Sequence, residues 1–387
     1  MRLRHLCALS LFPILLAAVC AAKEPPAPAV VDLTAPDKIK LKATYFAAAA
    51  PGPGVLLLHQ CNRQRKVWDD LAQKLAASGI HVLTLDYRGF GESEGKPFAS
   101  LQPFEAAQDI EKRPGDVDVA LQYLESQPGV QRDAIGVGGA SCGVRQSVLA
   151  SHRHAEVKAI ALLSGDVGID GRRILRASPN LPLFVAVADD DVNGLMTEYM
   201  RWIFGFSASP ASKLAHYATG GHGVEMFPVH KELPGEIVGW FNATLRRPAS
   251  VAANKSASPA QASILDVIDL QPESGKAAKM LEEALHRNPK TAPFSEGLVN
   301  MLGYEHMTDN DVRGAVEIFK LNVTAYPDSP NTYDSLADAQ LSAGHAELAD
   351  KSARKALELL ATDTKDSEQR RNAIKASAEK KIGASDH

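Results

Sequence analysis

Residues 135–143 read Ile135-Gly136-Val137-Gly138-Gly139-Ala140-Ser141-Cys142-Gly143, and this stretch decides the fold. Ile135 to Val137 is strand-like, and a helix pattern runs from about Cys142 to His152. Gly-x-Ser-x-Gly between a strand and a helix is a sharp turn that lifts one side chain above a sheet. Gly139 and Gly143 flank Ser141 at two residues on either side and let the backbone make that turn. Centring the motif on Cys142 would put Ala140 and Val144 where the glycines belong, so Ser141 is the candidate nucleophile.

Outward from this turn, strand and helix patterns alternate. Val55 to His59 is a short continuous apolar run, as a strand buried on both faces should be. Trp68, Leu71, Ala72 and Leu75 then recur at helical spacing, and the pattern stops at Gly79. His81 to Leu85 reads as the next strand, and Val117, Ala120, Leu121 and Leu124 mark another helix before Pro128-Gly129. Ala159 to Leu163, Leu183 to Ala188 and Leu214 to Thr219 are further strands, and Ile237, Phe241 and Leu245 face a last helix. Strands alternating with helices predict an α/β domain: a mostly parallel sheet covered by helices on both faces.

A serine hydroxyl needs a base, and the base needs an orienting carboxylate. Gly220-Gly221-His222-Gly223 follows the last strand, and Ala188-Asp189-Asp190-Asp191 ends the strand before it. The order Ser, Asp, His is that of an α/β-hydrolase sheet. With Asp86-Tyr87-Arg88-Gly89-Phe90-Gly91-Glu92-Ser93, these landmarks resemble the α/β-hydrolase family over residues 38–247. The short core is most similar to dienelactone-hydrolase-type enzymes, although those carry Cys at the elbow where this chain has Ser141. The resemblance implies a catalytic triad of Ser141, His222 and Asp191, with Asp190 open as the alternative acid. His216, His152, His154 and His230 are read as histidines without a role.

In this fold the oxyanion donors are the backbone N–H after the nucleophile and one after the third strand. Here they map to Cys142 and to Gln60 or Cys61, with Cys61 preferred. Two amides converging on one oxygen place the Cα atoms within the roughly 4.4–6.8 Å that a disulfide spans. A Cys61–Cys142 disulfide and a pair of free thiols therefore both stand as expectations. Met196, Tyr199, Met200, Trp202, Ile203, Phe204 and Phe206 cluster after the acid, either as core or in part as a roof over the acyl site. The short segment between Leu163 and Leu183 leaves no room for a large cap, so the site is expected to be open.

At 387 residues, with 45% apolar and 23% charged, the chain suits two domains at about 150 residues each. A formal charge of −4 supplies no field for nucleic acid. Arg2 and Arg4, the apolar run Leu6 to Val19 and the small residues Cys20-Ala21-Ala22 form a signal-peptide pattern over 1–22. Export to a periplasmic or secreted location is expected, with lipoprotein anchoring at Cys20 as a minor alternative. Residues 248–263 read as a linker, and no membrane span follows the leader.

Residues 264–363 are helical with a 34-residue internal repeat. Val299, Leu302, Gly303, Ala315, Phe319 and Pro327 match Tyr333, Leu336, Ala337, Ala349, Ala353 and Ala361 at that offset. This resembles the tetratricopeptide repeat, with Ala277, Leu281, Ala284 and Pro289 as a degenerate earlier unit and 364–387 as a polar helical tail. The linker predicts that the catalytic part folds without the repeats, which would recruit a protein partner. The reading is an exported serine hydrolase of small-molecule esters. No Cys/His spacing suggests a metal, and the triad needs no cofactor. A prolyl-oligopeptidase-like peptidase, or a non-catalytic scaffold whose repeats do the work, are the alternatives.

Overall fold

The computed structural model describes residues 24–246 and 263–382, so the expected leader, and the expected linker save for Ser263, lie outside the described residues. Eight strands make one sheet: β1 (Ala29–Thr34), β2 (Lys40–Phe46), β3 (Gly52–Leu58), β4 (His81–Leu85), β5 (Val130–Ala140), β6 (Val157–Leu163), β7 (Leu183–Ala188) and β8 (Lys213–Tyr217). Their order is β1-β2-β4-β3-β5-β6-β7-β8. From β4 to β8 every pairing is parallel, while β1 and β2 run antiparallel at one edge. This is the predicted sheet with a hairpin added. Sequence reading missed β1, which lies upstream of residue 38, because an edge strand burying only Leu33 carries almost no apolar signal.

Alternation along β3 explains why the sheet is covered twice. Val55 and Leu57 point into the core shared with α1 (Asp69–Ala77) and α7 (Leu233–Arg246). Leu56 and Leu58 point into the core shared with α2 (Pro103–Ser126), α3 (Cys142–Arg153), α4 (Gly168–Ala177) and α5 (Leu195–Phe204). A single turn of helix, α6 (Met226–Val229), precedes α7.

The helical region comprises α8 (Ile264–Leu270), α9 (Lys276–Arg287), α10 (Glu296–Thr308), α11 (Val312–Ala325), α12 (Pro330–Ser342), α13 (Ala346–Leu360) and α14 (Glu368–Lys381). The α10–α11 pair recurs as α12–α13 with both starts displaced by the 34 residues of the sequence repeat. No described helix is long and apolar enough to cross a membrane.

This region is not separate from the sheet. Leu265, Ile268, Leu298 and Leu302 belong to the same buried cluster as Tyr199 and Ile203 of α5. Arg172 of α4 is fully buried and donates to Asp269 of α8 at 2.9 and 2.7 Å, and it pairs with Glu305 of α10 at 2.5 Å. Arg176 reaches Asp269 at 2.6 Å and Asp266 at 2.9 Å, and the Trp202 indole N–H donates to Asp266 at 3.2 Å. The apolar segment after the acid is therefore core in Tyr199, Met200 and Ile203 and an interface in Trp202. The linker suggested independent folding; the shared core and buried ion pairs make the two regions one packed body.

Candidate active site

The elbow is built by close approach. Ser141 follows β5 and caps α3 with φ 52° and ψ −118°, a strained conformation for a residue with a side chain. A Cβ on Gly139 would sit 2.1 Å from the Gly143 carbonyl oxygen, and one on Gly143 would sit 2.3 Å from that of Leu58. Only glycine fits at either position, which is why the motif spacing carried the reading.

The three aspartates after β7 each have their own partner. Asp191, almost fully buried, accepts from His222 Nδ1 at 2.8 and 3.0 Å through its two oxygens. Asp190 instead accepts the Gly220 and Gly221 amides at 3.0 and 2.9 Å, bracing the loop that carries His222. Asp189 pairs with His216 at 2.7 Å. Of the two aspartates left open, Asp191 is the one that reaches His222.

The hydrogen bond from Asp191 raises His222 above its ordinary 6.5; partial burial opposes this, and the Asp191 and Glu225 charges add to it. His230 bonds the Thr219 carbonyl at 2.6 Å and stacks on Tyr217, while His154 bonds Asp118 at 2.7 Å.

Ser141 and His222 line one cavity of about 320 Å³ together with Cys61, Cys142, Arg113 and Met196. Of the apolar segment only Met196 reaches it, so the expected roof shrinks to one side chain. The Ser141 hydroxyl has no hydrogen bond among the described residues. Cys61 and Cys142 form a disulfide with Cα atoms 5.7 Å apart. Neither of their backbone N–H groups donates to another backbone carbonyl among the described residues, as oxyanion donors require.

Several contacts in this site had no sequence signal. Gln60 is buried; its Oε1 accepts the Val224 amide at 3.1 Å and its Nε2 donates to Asn62 at 2.7 Å. It thus pins the His222 loop, and Gly223 is required there, since a Cβ would lie 2.5 Å from Gln60 Oε1. Arg113 is buried over the Phe98 ring at 4.4 Å, donates to Cys61 Sγ at 3.1 Å and pairs with Asp109. Arg65, also fully buried, pairs with Asp86 and Glu92, while Arg88 pairs with Asp116 and Asp37. The Asp86-to-Ser93 turn is thereby a brace outside the cavity. Burial holds His59 neutral, lowered to about 4. Away from the cavity, Glu125, His154 and Glu156 bring ligand-type atoms within 4.8 Å of one another.

Residues 49–196 match the family described as serine aminopeptidase, S33. The match includes Ser141 and Asp191 and stops before His222. Among curated proteins, a thiohydrolase, aneE, of Aspergillus aculeatus is 32% identical over 114 residues, 29% of this chain and 33% of that protein. An acyltransferase, drtE, of Aspergillus calidoustus is 25% identical over 189 residues, 44% of this chain and 59% of that one. The aligned segments thus span a third to three-fifths of these two relatives. Among solved structures, the dienelactone hydrolase of Anabaena variabilis has TM-score 0.48 and 18% identity, covering 58% of this chain and 100% of that one. The esterase Pf2001 of Pyrococcus furiosus has TM-score 0.45 and 18% identity, covering 57% and 93%. The strand order gives the sheet region the α/β-hydrolase fold, and the family match falls within it.

Proposed function

We propose that the protein is an exported serine hydrolase that cleaves carboxylic ester bonds through an acyl-enzyme on Ser141. The observation that carries this is His222, held by the buried Asp191, sharing a cavity with an elbow serine. His222 Nε2 takes the Ser141 proton as Oγ attacks the carbonyl carbon. Cys61 and Cys142 amides then stabilise the tetrahedral oxyanion, at about 2.7–4 kcal/mol for one such donor. His222 returns the proton to the departing alkoxide. Water, deprotonated by the same histidine, releases the acid and frees Ser141.

Asp191 holds the imidazole in the tautomer that leaves Nε2 free to accept. Support for an acyl centre comes from relatives named thiohydrolase and acyltransferase, so thioesters belong beside esters in any substrate panel. The family description favours a second reading, hydrolysis of peptides, which uses the same groups. Export rests on the leader expected over 1–22 and is supported by the disulfide, which suits an oxidising compartment. Recruitment of a protein by tetratricopeptide-like repeats belongs to the same proposal.

A fluorophosphonate probe tests the reading. It should label Ser141 alone, and Ser141→Ala should abolish both labelling and turnover of an ester, thioester and peptide panel. Labelling at another serine, or undiminished turnover by the alanine variant, refutes it.

A further inference from the structure

The cavity at Ser141 continues past the hydrolase sheet. Arg145 and Asp166 line it, and both also line a second cavity of about 640 Å³. The far wall of that second cavity is α10 of the helical region, through Met301, Tyr304, Glu305 and Thr308. The two cavities adjoin at these shared residues, giving a cleft with Ser141 on one side and α10 on the other. The expected open site is thus bounded on this side by a segment far away in sequence.

The charges along this cleft are mostly spoken for. Arg173 ties Asp170 at 3.1 Å and Asp309 at 3.3 Å. Asp166 accepts the Tyr199 hydroxyl and the Gly168 amide, each at 2.7 Å. Glu305 pairs with Arg172, while burial beside Asp166 pushes its carboxyl up. Glu111 lies on an exposed part of α2 at the rim. Arg113 is paired with Asp109. Arg145 differs: it makes no ion pair or hydrogen bond among the described residues.

Its position is nevertheless built. Arg145 is half-buried on α3, one helical turn after Ser141 and so on the same side of that helix. Gly168 makes room for it; a Cβ there would lie 3.1 Å from the guanidinium carbon, at a φ of +67° that itself favours glycine. A half-buried guanidinium with no partner keeps its donors free for an anion that enters the cleft. Its planar fork matches a carboxylate, and the neighbouring acids disfavour a dianion.

We propose that this cleft holds the acyl part of an elongated substrate and that Arg145 binds a carboxylate on it, so that half-esters or half-thioesters of dicarboxylic acids are preferred. This rests on Ser141 being the nucleophile, and one arm of the test does not. The first arm compares 4-nitrophenyl hydrogen glutarate with 4-nitrophenyl pentanoate, which carries a methyl group in place of the terminal carboxylate. The intact protein should prefer the glutarate by at least about tenfold in kcat/KM, the scale of one charge-assisted hydrogen bond. Arg145→Met should bring that ratio to about one, and Arg145→Lys should restore part of it. Equal kcat/KM for both esters in the intact protein, or a ratio unchanged in Arg145→Met, overturns the proposal. The second arm needs no turnover: calorimetry of binding of glutaramate, the monoanionic monoamide of glutaric acid, to Ser141→Ala and to Ser141→Ala/Arg145→Met. Binding lost with Arg145 supports the site, and absent or equal binding refutes it even if Ser141 proves not to be the nucleophile.

Discussion

Replacing Asp269 by alanine removes the carboxylate on which two guanidinium groups converge at the boundary between sheet and helical region. Arg172 has no solvent exposure and holds Asp269 through Nε at 2.9 Å and Nη2 at 2.7 Å, while Arg176 adds a bond at 2.6 Å. Burial opposes ionisation of Asp269, yet His306 and the two arginines hold its carboxyl well below the usual 3.8. Its contribution is therefore full above pH 3.8 and is lost only as pH falls further, so neutral buffer reads all of it. Breaking one side of a buried pair costs about 3–5 kcal/mol, because the remaining charge is left uncompensated. Glu305 still faces Arg172 Nη1, but the Nε and Nη2 bonds and the Arg176 bond lose their acceptor. Equilibrium urea unfolding followed by tryptophan fluorescence in a Trp68→Phe/Trp240→Phe background is the assay, as the Trp202 indole sits between Arg172, Arg176 and Asp266. Arg172→Met/Asp269→Leu should recover much of the loss, because an apolar pair replaces both charges. A loss below about 1 kcal/mol for Asp269→Ala would mean that Arg172 keeps a partner or water, and would refute the closed, paired boundary.

Four more outcomes follow from the site. Activity should rise with pH along a limb whose midpoint lies above 6.5, because Asp191 stabilises protonated His222 and only the neutral ring accepts the Ser141 proton; a kcat/KM profile flat from pH 5 to 8 refutes this. Asp191→Asn should lower kcat by about 10⁴-fold without unfolding the protein. Reduction of Cys61–Cys142 opens a loop of 81 residues and should cost about 4–5 kcal/mol by chain entropy. Calorimetry should show a lower Tm together with slower turnover, and an unchanged Tm after proven reduction would contradict it. Gly143→Ala forces a Cβ against the Leu58 carbonyl and should destabilise by about 3 kcal/mol or more, so a variant with native Tm and activity would contradict the close approach.

The core strands and the order of Ser141, Asp191 and His222 could be read from the sequence because they depend on local pattern. A strand buried on both faces is a continuous apolar run, and a turn that tolerates only glycine at two positions announces itself by spacing. The 34-residue repeat was legible for the same reason, as the helices it predicted recur at that offset. What the tertiary structure decided was partnership. Three adjacent aspartates are equivalent in sequence, and only the backbone path after Ala188 sends Asp191 to His222, Asp190 to the glycine loop and Asp189 to His216. Gln60 and Arg113 are single polar residues with no periodicity, so their bracing of the site appears only when Val224 and Cys61 come within reach. The same holds for Arg172 and Asp269, 97 residues apart: a charged residue in a helix reads as solvated until a distant segment folds over it and takes the water away.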